Sequence, residues 1–171
     1  MTMRSVNGTN PIAMAGLALT LWLSASGDGH AQGSASFEKL AGQWSGNGTI
    51  DLSNGTKEPI RCRAAYDVLE QQSSLQLNIR CASETYNFDL RANAKNAAGT
   101  ISGTWSEASR NVAGSISGKA GNDRFEVLAK GPSFSAKLTL ITRSDQQSVT
   151  IQSQEANSAV KRASISLQRG G

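Results

Sequence analysis

The stretch "IRCRAAYDVLEQQSSLQLNIRC", residues 60–81, holds the only two cysteines of this 171-residue chain and decides its fold. Apolar residues recur at every second position on both sides of Gln71-Gln72, which is typical of two β-strands joined by a turn. A two-residue hairpin loop at Gln71-Gln72 pairs residues that share one apolar face. The predicted pairs are Val68 with Leu75, Tyr66 with Leu77, Ala64 with Ile79, and Cys62 with Cys81.

This register places the two cysteines directly opposite each other. Opposite residues of an antiparallel pair have Cβ atoms ~4.5–5.5 Å apart, and a disulfide needs ~3.5–4.5 Å, so a small adjustment joins them. The alternative is a metal or redox pair. The chain has no Cys-x-x-Cys motif, however, and two cysteines alone do not complete a tetrahedral zinc site. We therefore predict a structural disulfide between Cys62 and Cys81 and no metal site.

The same alternation continues along the chain, interrupted every few residues by Gly, Asn, Ser or Asp. Asn54-Gly55 is the strongest turn signal and predicts a two-residue type I′ hairpin. We predict an all-β fold, an antiparallel up-and-down barrel of about 8–10 strands, with a β-sandwich as the alternative. The segments begin near Gln43, Pro59, Ser74, Thr85, Gly99, Val112, Arg124, Ser133, Gln147 and Val160.

Residues 1–31 have the pattern of a secretory signal peptide. Arg4 precedes the apolar run "IAMAGLALTLWLSA" at residues 12–25, and Gly29 and Ala31 precede a possible cleavage site. At ~1.5 Å per residue the run spans ~21 Å, less than the ~30 Å of membrane hydrocarbon. We expect an exported protein, periplasmic or extracellular, without stable membrane insertion; the alternative is an uncleaved anchor.

Two further parts follow the predicted leader. Residues 32–41 form an N-terminal segment in which "SFEKLAG" predicts a short helical turn with Ser36 as the N-cap. Residues 42–171 form the barrel domain, which is long enough for one sizeable core.

Removal of the leader changes the chemistry that the protein has available. It takes away His30, the only histidine, and with it the commonest general base and metal ligand. Ser-His-Asp and Cys-His sites are then excluded. A Ser-Lys pair or a pair of carboxylates is the remaining catalytic alternative. The carboxylates lie near turns or on outward faces, where solvation explains them, so we predict no catalytic residue, no cofactor and no enzyme activity. The net charge of +4 is too small to predict nucleic-acid binding.

Four arginines, Arg61, Arg63, Arg80 and Arg91, fall on the outer face of three neighbouring strands. The register sets Arg63 opposite Arg80, and a turn at Ser83-Glu84 would put a neutralising carboxylate on the diagonal. We expect a solvated, partly compensated face; the alternative is an anion site.

Four glycines fall on the inward phase of the strands: Gly46, Gly48, Gly103 and Gly114. Inward glycines mark bends where strands curl, or they leave space for a ligand.

The stretch "LAGQW", residues 40–44, resembles the Gly-x-Trp start of calycin barrels such as lipocalins, avidins and fatty-acid-binding proteins. The resemblance implies a barrel with an apolar mouth or cavity. It also implies that a basic residue of the last strand, here Arg169, packs on the tryptophan. We expect a small apolar or amphipathic ligand to contact five aromatic residues: Trp44, Tyr66, Tyr86, Phe88 and Trp105.

The same stretch after a small-residue leader is also similar to bacterial exported inhibitors of secreted metalloproteases. That resemblance implies a protease partner whose cleft receives residues 32–36. A third possibility is a fully packed barrel that binds another protein through its surface.

Overall fold

The structure, a computed structural model, describes residues 36–170. The predicted leader and the first four residues of the segment 32–41 lie outside the described residues. The described chain is all-β, as predicted, and each predicted strand start lies within two residues of an observed one. The strands are β1 (Gly42–Leu52), β2 (Lys57–Leu69), β3 (Ser74–Ala82), β4 (Asn87–Ala97), β5 (Thr100–Glu107), β6 (Val112–Ala120), β7 (Arg124–Gly131), β8 (Phe134–Arg143), β9 (Gln146–Ser153) and β10 (Val160–Arg169).

The ten strands form one closed antiparallel barrel in which consecutive strands are neighbours. The barrel closes by pairing β1 with β10, where Trp44 faces Arg169. Closure removes the unpaired edges that an open sheet exposes. The predicted up-and-down barrel is therefore confirmed, and the alternative sandwich is wrong.

The turn at residues 70–73 sets the register of β2 and β3 as predicted. Gln71 and Gln72 have φ angles of 52° and 71°, the positive values that a type I′ turn requires at both central positions. The Ser73 amide donates to the Glu70 carbonyl oxygen at 3.1 Å. Every pair predicted from the alternation is present, including Cys62 with Cys81.

Cys62 and Cys81 form a disulfide with their Cα atoms 4.1 Å apart. Both cysteines are buried in the core and face inward with the apolar residues of their strands. The bridge therefore joins two neighbouring strands within one sheet, as predicted.

The first hairpin has a different turn from the predicted one. Only Gly55 has a positive φ, 84°, and its amide donates to the Leu52 carbonyl oxygen at 3.1 Å. The Asn54 side-chain oxygen instead accepts the Thr56 amide and hydroxyl protons, at 3.0 and 2.7 Å. The loop is thus of the three-residue class, in which a glycine follows the turn, and the two-residue prediction is wrong.

The predicted turn at Ser83-Glu84 is also displaced by one residue. The Ser83 amide donates to the Tyr86 carbonyl oxygen at 2.8 Å, so the tip lies one residue later than predicted. Glu58 on β2 holds this tip by accepting the Thr85 amide proton at 2.7 Å. Asp89 consequently lies directly opposite its arginine partner on β3 rather than on the diagonal.

Because of this one-residue displacement, Asp89 forms an ion pair with one of the four arginines on the outer face. Arg80 Nε lies 3.2 Å from Asp89 Oδ2, while Arg63 remains opposite Arg80 as predicted. The four arginines are exposed, and this ion pair compensates one of them.

A single turn of 3-10 helix, Glu38–Leu40, covers the barrel end where β1 begins; we call this the closed end. The helix begins after Phe37 without a side-chain cap, so the prediction of Ser36 as the N-cap is wrong. Phe37 and Leu40 are buried, and Phe37 stacks on Phe125 with ring centroids 5.6 Å apart. Burial of these apolar rings, rather than a cap, holds the turn in place.

Contacts of Trp44 and Arg169 stabilise the closed end. Trp44 donates its indole N–H to the Leu40 carbonyl oxygen at 2.8 Å, and the Arg169 guanidinium lies 4.3 Å from the indole centre. Arg169 also donates to the carbonyl oxygens of Lys39 and Ala41. The packing that the calycin resemblance implies is therefore present.

The inward glycines allow neighbouring strands to approach closely. A Cβ atom on Gly46 would lie 2.0 Å from the Ser166 carbonyl oxygen, and one on Gly114 would lie 1.8 Å from that of Lys130. This close approach gives a sufficient reason for glycine at these positions, as expected where strands bend.

Replacing both Cys62 and Cys81 with alanine should lower the free energy of unfolding by about 3 kcal/mol. The bridge spans a sequence separation of 19 residues, and cross-linking such a loop restricts the unfolded chain. Chemical denaturation of the wild type and the variant measures the difference. A reducing agent should destabilise the wild type and leave the variant unchanged. Finding two free thiols in the untreated wild type would contradict this prediction.

Candidate ligand-binding cavity

The interior of the barrel is not filled throughout. Some inward residues, such as Trp44 and Ala64, are only 1% and 2% exposed. Several inward apolar residues of β3, β4 and β6 to β9 are half-buried, although they point away from bulk solvent. Their exposed surface borders a cavity of about 490 Å³. The residues are Leu77, Ile79, Leu90, Ile116, Val127, Leu138, Leu140 and Ile151.

Small inward side chains create this space. Ala92 and Ala94 on β4, Ala129 on β7 and Ala136 on β8 all line the cavity, and each contributes one methyl group. A barrel of this width fills its interior only when larger side chains occupy such layers. Sequence reasoning missed these alanines, although their inward phase on neighbouring strands was a usable signal.

The cavity opens at the barrel end opposite the 3-10 turn, which we call the mouth. Strands β1, β3, β5, β7 and β9 all end there, because consecutive strands are antiparallel. The serine hydroxyls and the charged groups of the lining belong to this end. They are Ser133, Ser153, Ser158, Glu107, Arg110, Lys161 and Arg162. An apolar interior with a polar mouth fits an apolar or amphipathic molecule.

Glu107 is a buried carboxylate, only 5% exposed, at the mouth. Its Oε1 accepts the amide protons of Asp89 and Ser109, at 2.9 and 3.1 Å, and its Oε2 accepts that of Arg110 at 2.8 Å. Burial opposes ionisation, but these hydrogen bonds outweigh it and hold the pKa of Glu107 below its usual value. The carboxylate is thus ionised and ties the β5–β6 hairpin to the start of β4.

Arg110 lies at the mouth beside this carboxylate. Its Nη1 is 3.5 Å from Glu107 Oε2 and donates to the Asn87 carbonyl oxygen at 3.1 Å. The guanidinium lies 5.0 Å from the centre of the Phe88 ring, which in turn stacks on Tyr86 with centroids 6.3 Å apart. Sequence reasoning missed Arg110 because it lies in a loop, where alternation gives no inward or outward phase.

The structure brings four of the five predicted ligand contacts to the cavity. Tyr66 borders it toward the closed end, Tyr86 and Phe88 border it at the mouth, and Trp105 forms part of the wall. Trp105 donates its indole N–H to the Lys130 carbonyl oxygen at 3.2 Å. Trp44 does not line the cavity, because it lies beneath the 3-10 turn with its ring covered by Arg169.

A buried polar group closes the bottom of the cavity. The Tyr66 hydroxyl donates to Gln147 Oε1 at 2.6 Å, and Gln147 Nε2 donates to Thr142 Oγ1 at 3.2 Å. Burial raises the pKa of Tyr66 well above its usual value, against the opposing effect of the Gln147 hydrogen bond. All three side chains are satisfied, so this group fixes the tyrosine ring rather than offering free donors.

Within residues 36–170, no group of three His, Cys, Asp or Glu side chains is arranged to hold a metal ion. In the same part of the chain no helix has the length and hydropathy to cross a membrane.

No protein-family model and no curated protein sequence matches this chain. Solved structures share its fold. Rv2717c from M. tuberculosis aligns with a TM-score of 0.64 and 11% identity over 79% of this chain and 95% of its own. The S-type phycobiliprotein lyase CPES from Guillardia theta aligns with a TM-score of 0.53 and 11% identity, over 79% of this chain and 90% of its own.

The barrel fold that the calycin resemblance implies is therefore confirmed. At 11% identity the likeness shows the fold alone. The resemblance to metalloprotease inhibitors gains no support from these structures. Most of the segment that would enter a protease, residues 32–36, lies outside the described residues, and that interaction stays a prediction.

The raised pKa of Tyr66 predicts a loss of stability in alkali. The folded state favours the neutral phenol, so this stabilisation is complete below the ordinary tyrosine pKa of ~10 and is lost as pH rises above it. Denaturation at increasing pH should therefore weaken the wild type more steeply than Tyr66→Phe. At neutral pH the variant should be about 1 kcal/mol less stable, because Gln147 loses its donor. Equal alkaline slopes in the two proteins would contradict this prediction.

The lowered pKa of Glu107 predicts the opposite dependence in acid. The stabilisation that ionised Glu107 gives the folded state is complete above the ordinary glutamate pKa of ~4.3. It is lost as pH falls through the lower pKa that Glu107 has in the folded protein. Glu107→Gln should cost about 1–3 kcal/mol at neutral pH, since it removes a charged acceptor from the part-buried hydrogen bonds that Glu107 makes with backbone amides. Thermal denaturation against pH should show a flatter acid limb for this variant. The matched change Glu155→Gln, at an exposed position of the mouth, should leave the stability at neutral pH and the slope of the acid limb unchanged.

Proposed function

We propose that this protein binds a small apolar or amphipathic molecule inside its barrel. The observation that carries the proposal is the half-burial of inward Leu, Ile and Val side chains around a cavity of about 490 Å³. Small-molecule pockets in proteins typically measure ~300–1,000 Å³ and have mainly apolar linings. Filling this cavity with apolar ligand atoms would remove those side chains from water, which favours binding.

The aromatic residues give the ligand defined neighbours. Trp105 packs edge-on against Phe134 with ring centroids 5.3 Å apart, and Phe134 is exposed at the mouth. Tyr86 and Phe88 form a second aromatic pair at the same end. A ligand that enters the cavity passes these rings before it reaches the aliphatic interior, and aromatic contacts add to the area that it buries.

We further propose that the protein binds its ligand without converting it. The lining away from the mouth is apolar, and the carboxylate at the mouth, Glu107, already accepts three backbone N–H groups. A general base needs a free acceptor within hydrogen-bond reach of the substrate proton. Those hydrogen bonds give Glu107 a structural role and support binding rather than catalysis.

An exported location, periplasmic or extracellular, is part of this proposal. Structural disulfides persist in oxidising compartments, and the Cys62–Cys81 bridge is buried in the core. The sequence pattern of residues 1–31 supports the same location.

A neutral fluorescent probe, N-phenylnaphthylamine, tests the proposed cavity. The probe should gain emission on binding and quench tryptophan fluorescence in the wild type and in Trp44→Phe. Trp105→Phe should lose most of this quenching, because Trp105 lines the cavity and Trp44 does not. Unchanged probe emission in the presence of wild type would contradict the proposal.

A cavity-filling variant provides the matched test. Val127→Phe adds a ring to the cavity wall and should weaken probe binding about tenfold or more, by occupying the ligand's space. Leu128→Phe changes the neighbouring residue, which alternation directs to the outer face of β7, and should leave binding unchanged. Equal effects of the two variants would place the probe outside the barrel and overturn the proposal.

A further inference from the structure

The mouth of the cavity carries more positive than negative charge. Its lining holds two cationic residues whose contacts place them at the mouth, Arg110 and Lys161, and one carboxylate, Glu107. Arg162 also borders the cavity, but it is exposed and lies opposite Asp51 in the register of β1 with β10. Other acidic residues in the loops of this end, such as Glu84, are exposed and do not line the cavity. An amphipathic molecule with its tail in the interior therefore leaves its head group near these cationic side chains.

We propose that the ligand carries an anionic head group, a carboxylate or a phosphate, which Arg110 binds at the mouth. This inference rests on the proposed function, because the head group is held only if the tail occupies the cavity. The planar guanidinium presents paired N–H donors that match either anion, whereas a neutral head group offers it no charge.

Arg110 is already held in place for this role. Its Nη1 contacts Glu107 and the Asn87 carbonyl oxygen, and its plane lies over the Phe88 ring. Among the described residues, Nε and Nη2 of Arg110 have no hydrogen-bond acceptor. The side chain is therefore fixed on one edge and free on the other, which lowers the entropy cost of binding an anion.

The negative charge of Glu107 does not prevent Arg110 from binding an anion. Three backbone N–H groups already compensate its charge, and it contacts only Nη1 of Arg110. Removing Glu107 would free the arginine side chain, so the carboxylate positions the guanidinium instead of competing for its free donors.

Lys161 adds a second cation on another side of the mouth. It lies at the start of β10, which three strands separate from β6, the strand that follows Arg110. Its ammonium group donates to the Ala156 carbonyl oxygen in an exposed hydrogen bond. Two cations on different sides of the opening attract an anion to the mouth from both directions, and the ammonium retains further donors.

Three ligands with the same apolar tail test the inference: dodecanoic acid, dodecyl phosphate and methyl dodecanoate. Each is titrated against bound N-phenylnaphthylamine, so that displacement reports occupation of the cavity. One or both anions should bind at least about tenfold more tightly than the neutral ester, the effect of one good hydrogen bond to a charged group. The stronger of the two anions distinguishes a carboxylate from a phosphate head group.

Arg110→Gln should abolish the preference for the anion and leave ester affinity within about twofold of wild type, because it removes charge but not the cavity. Arg110→Lys should keep part of the preference. The control Arg91→Gln removes the same charge from the outer face of β4 and should leave the preference intact. If Arg110→Gln fails to fold, loss of the preference in Lys161→Gln and in high salt supports the inference.

The outcomes separate this inference from the proposed function. Equal affinities for anions and ester in the wild type, with probe binding intact, overturn the anionic head group alone. A preference that persists in Arg110→Gln also overturns it, because the anion is then bound by another group. Absence of probe binding and of all displacement overturns the proposed function itself.

Discussion

The register between β2 and β3 determines which residues of these strands, and then of their neighbours, face the interior of the barrel. Because side chains alternate between faces, a slip of one residue would turn every apolar residue of a strand toward solvent. The positive φ angles of Gln71 and Gln72 set this register at the turn, and the Cys62–Cys81 bridge holds it at the other end. Neighbouring strands follow through antiparallel hairpins until β10 meets β1.

The size of the inward side chains determines which part of the barrel interior is packed and which part is a cavity. Trp44, Tyr66 and the rings beneath the 3-10 turn fill the closed end, where the polar groups of Tyr66 and Gln147 satisfy each other. Alanines on β4, β7 and β8 leave the other region open, and its exposed aliphatic groups give up some of the burial that a filled core provides. That loss of packing is the reason to assign a binding role to the cavity.

Much of the fold follows from the sequence because alternation is a local signal. Alternation predicted the strand starts and the register at Cys62, and the calycin resemblance implied the contact of Arg169 with Trp44. Turn details were not, since side-chain contacts such as that of Glu58 with Thr85 come from a different hairpin. Trp44 was placed in the ligand site because its inward phase does not reveal that the 3-10 turn covers it. Arg110 was missed because the position of a loop side chain depends on tertiary contacts with Phe88 and Asn87.

The pairing order of the strands also sets the sequence of folding events. Every strand pairing except that of β1 with β10 joins neighbours along the chain, so each of these hairpins can form from one continuous stretch of sequence. The sulfur bridge belongs to one of these hairpins and can form before the downstream strands exist. A chain that is still being synthesised has two unpaired sheet edges, which can pair with other chains until β10 is added.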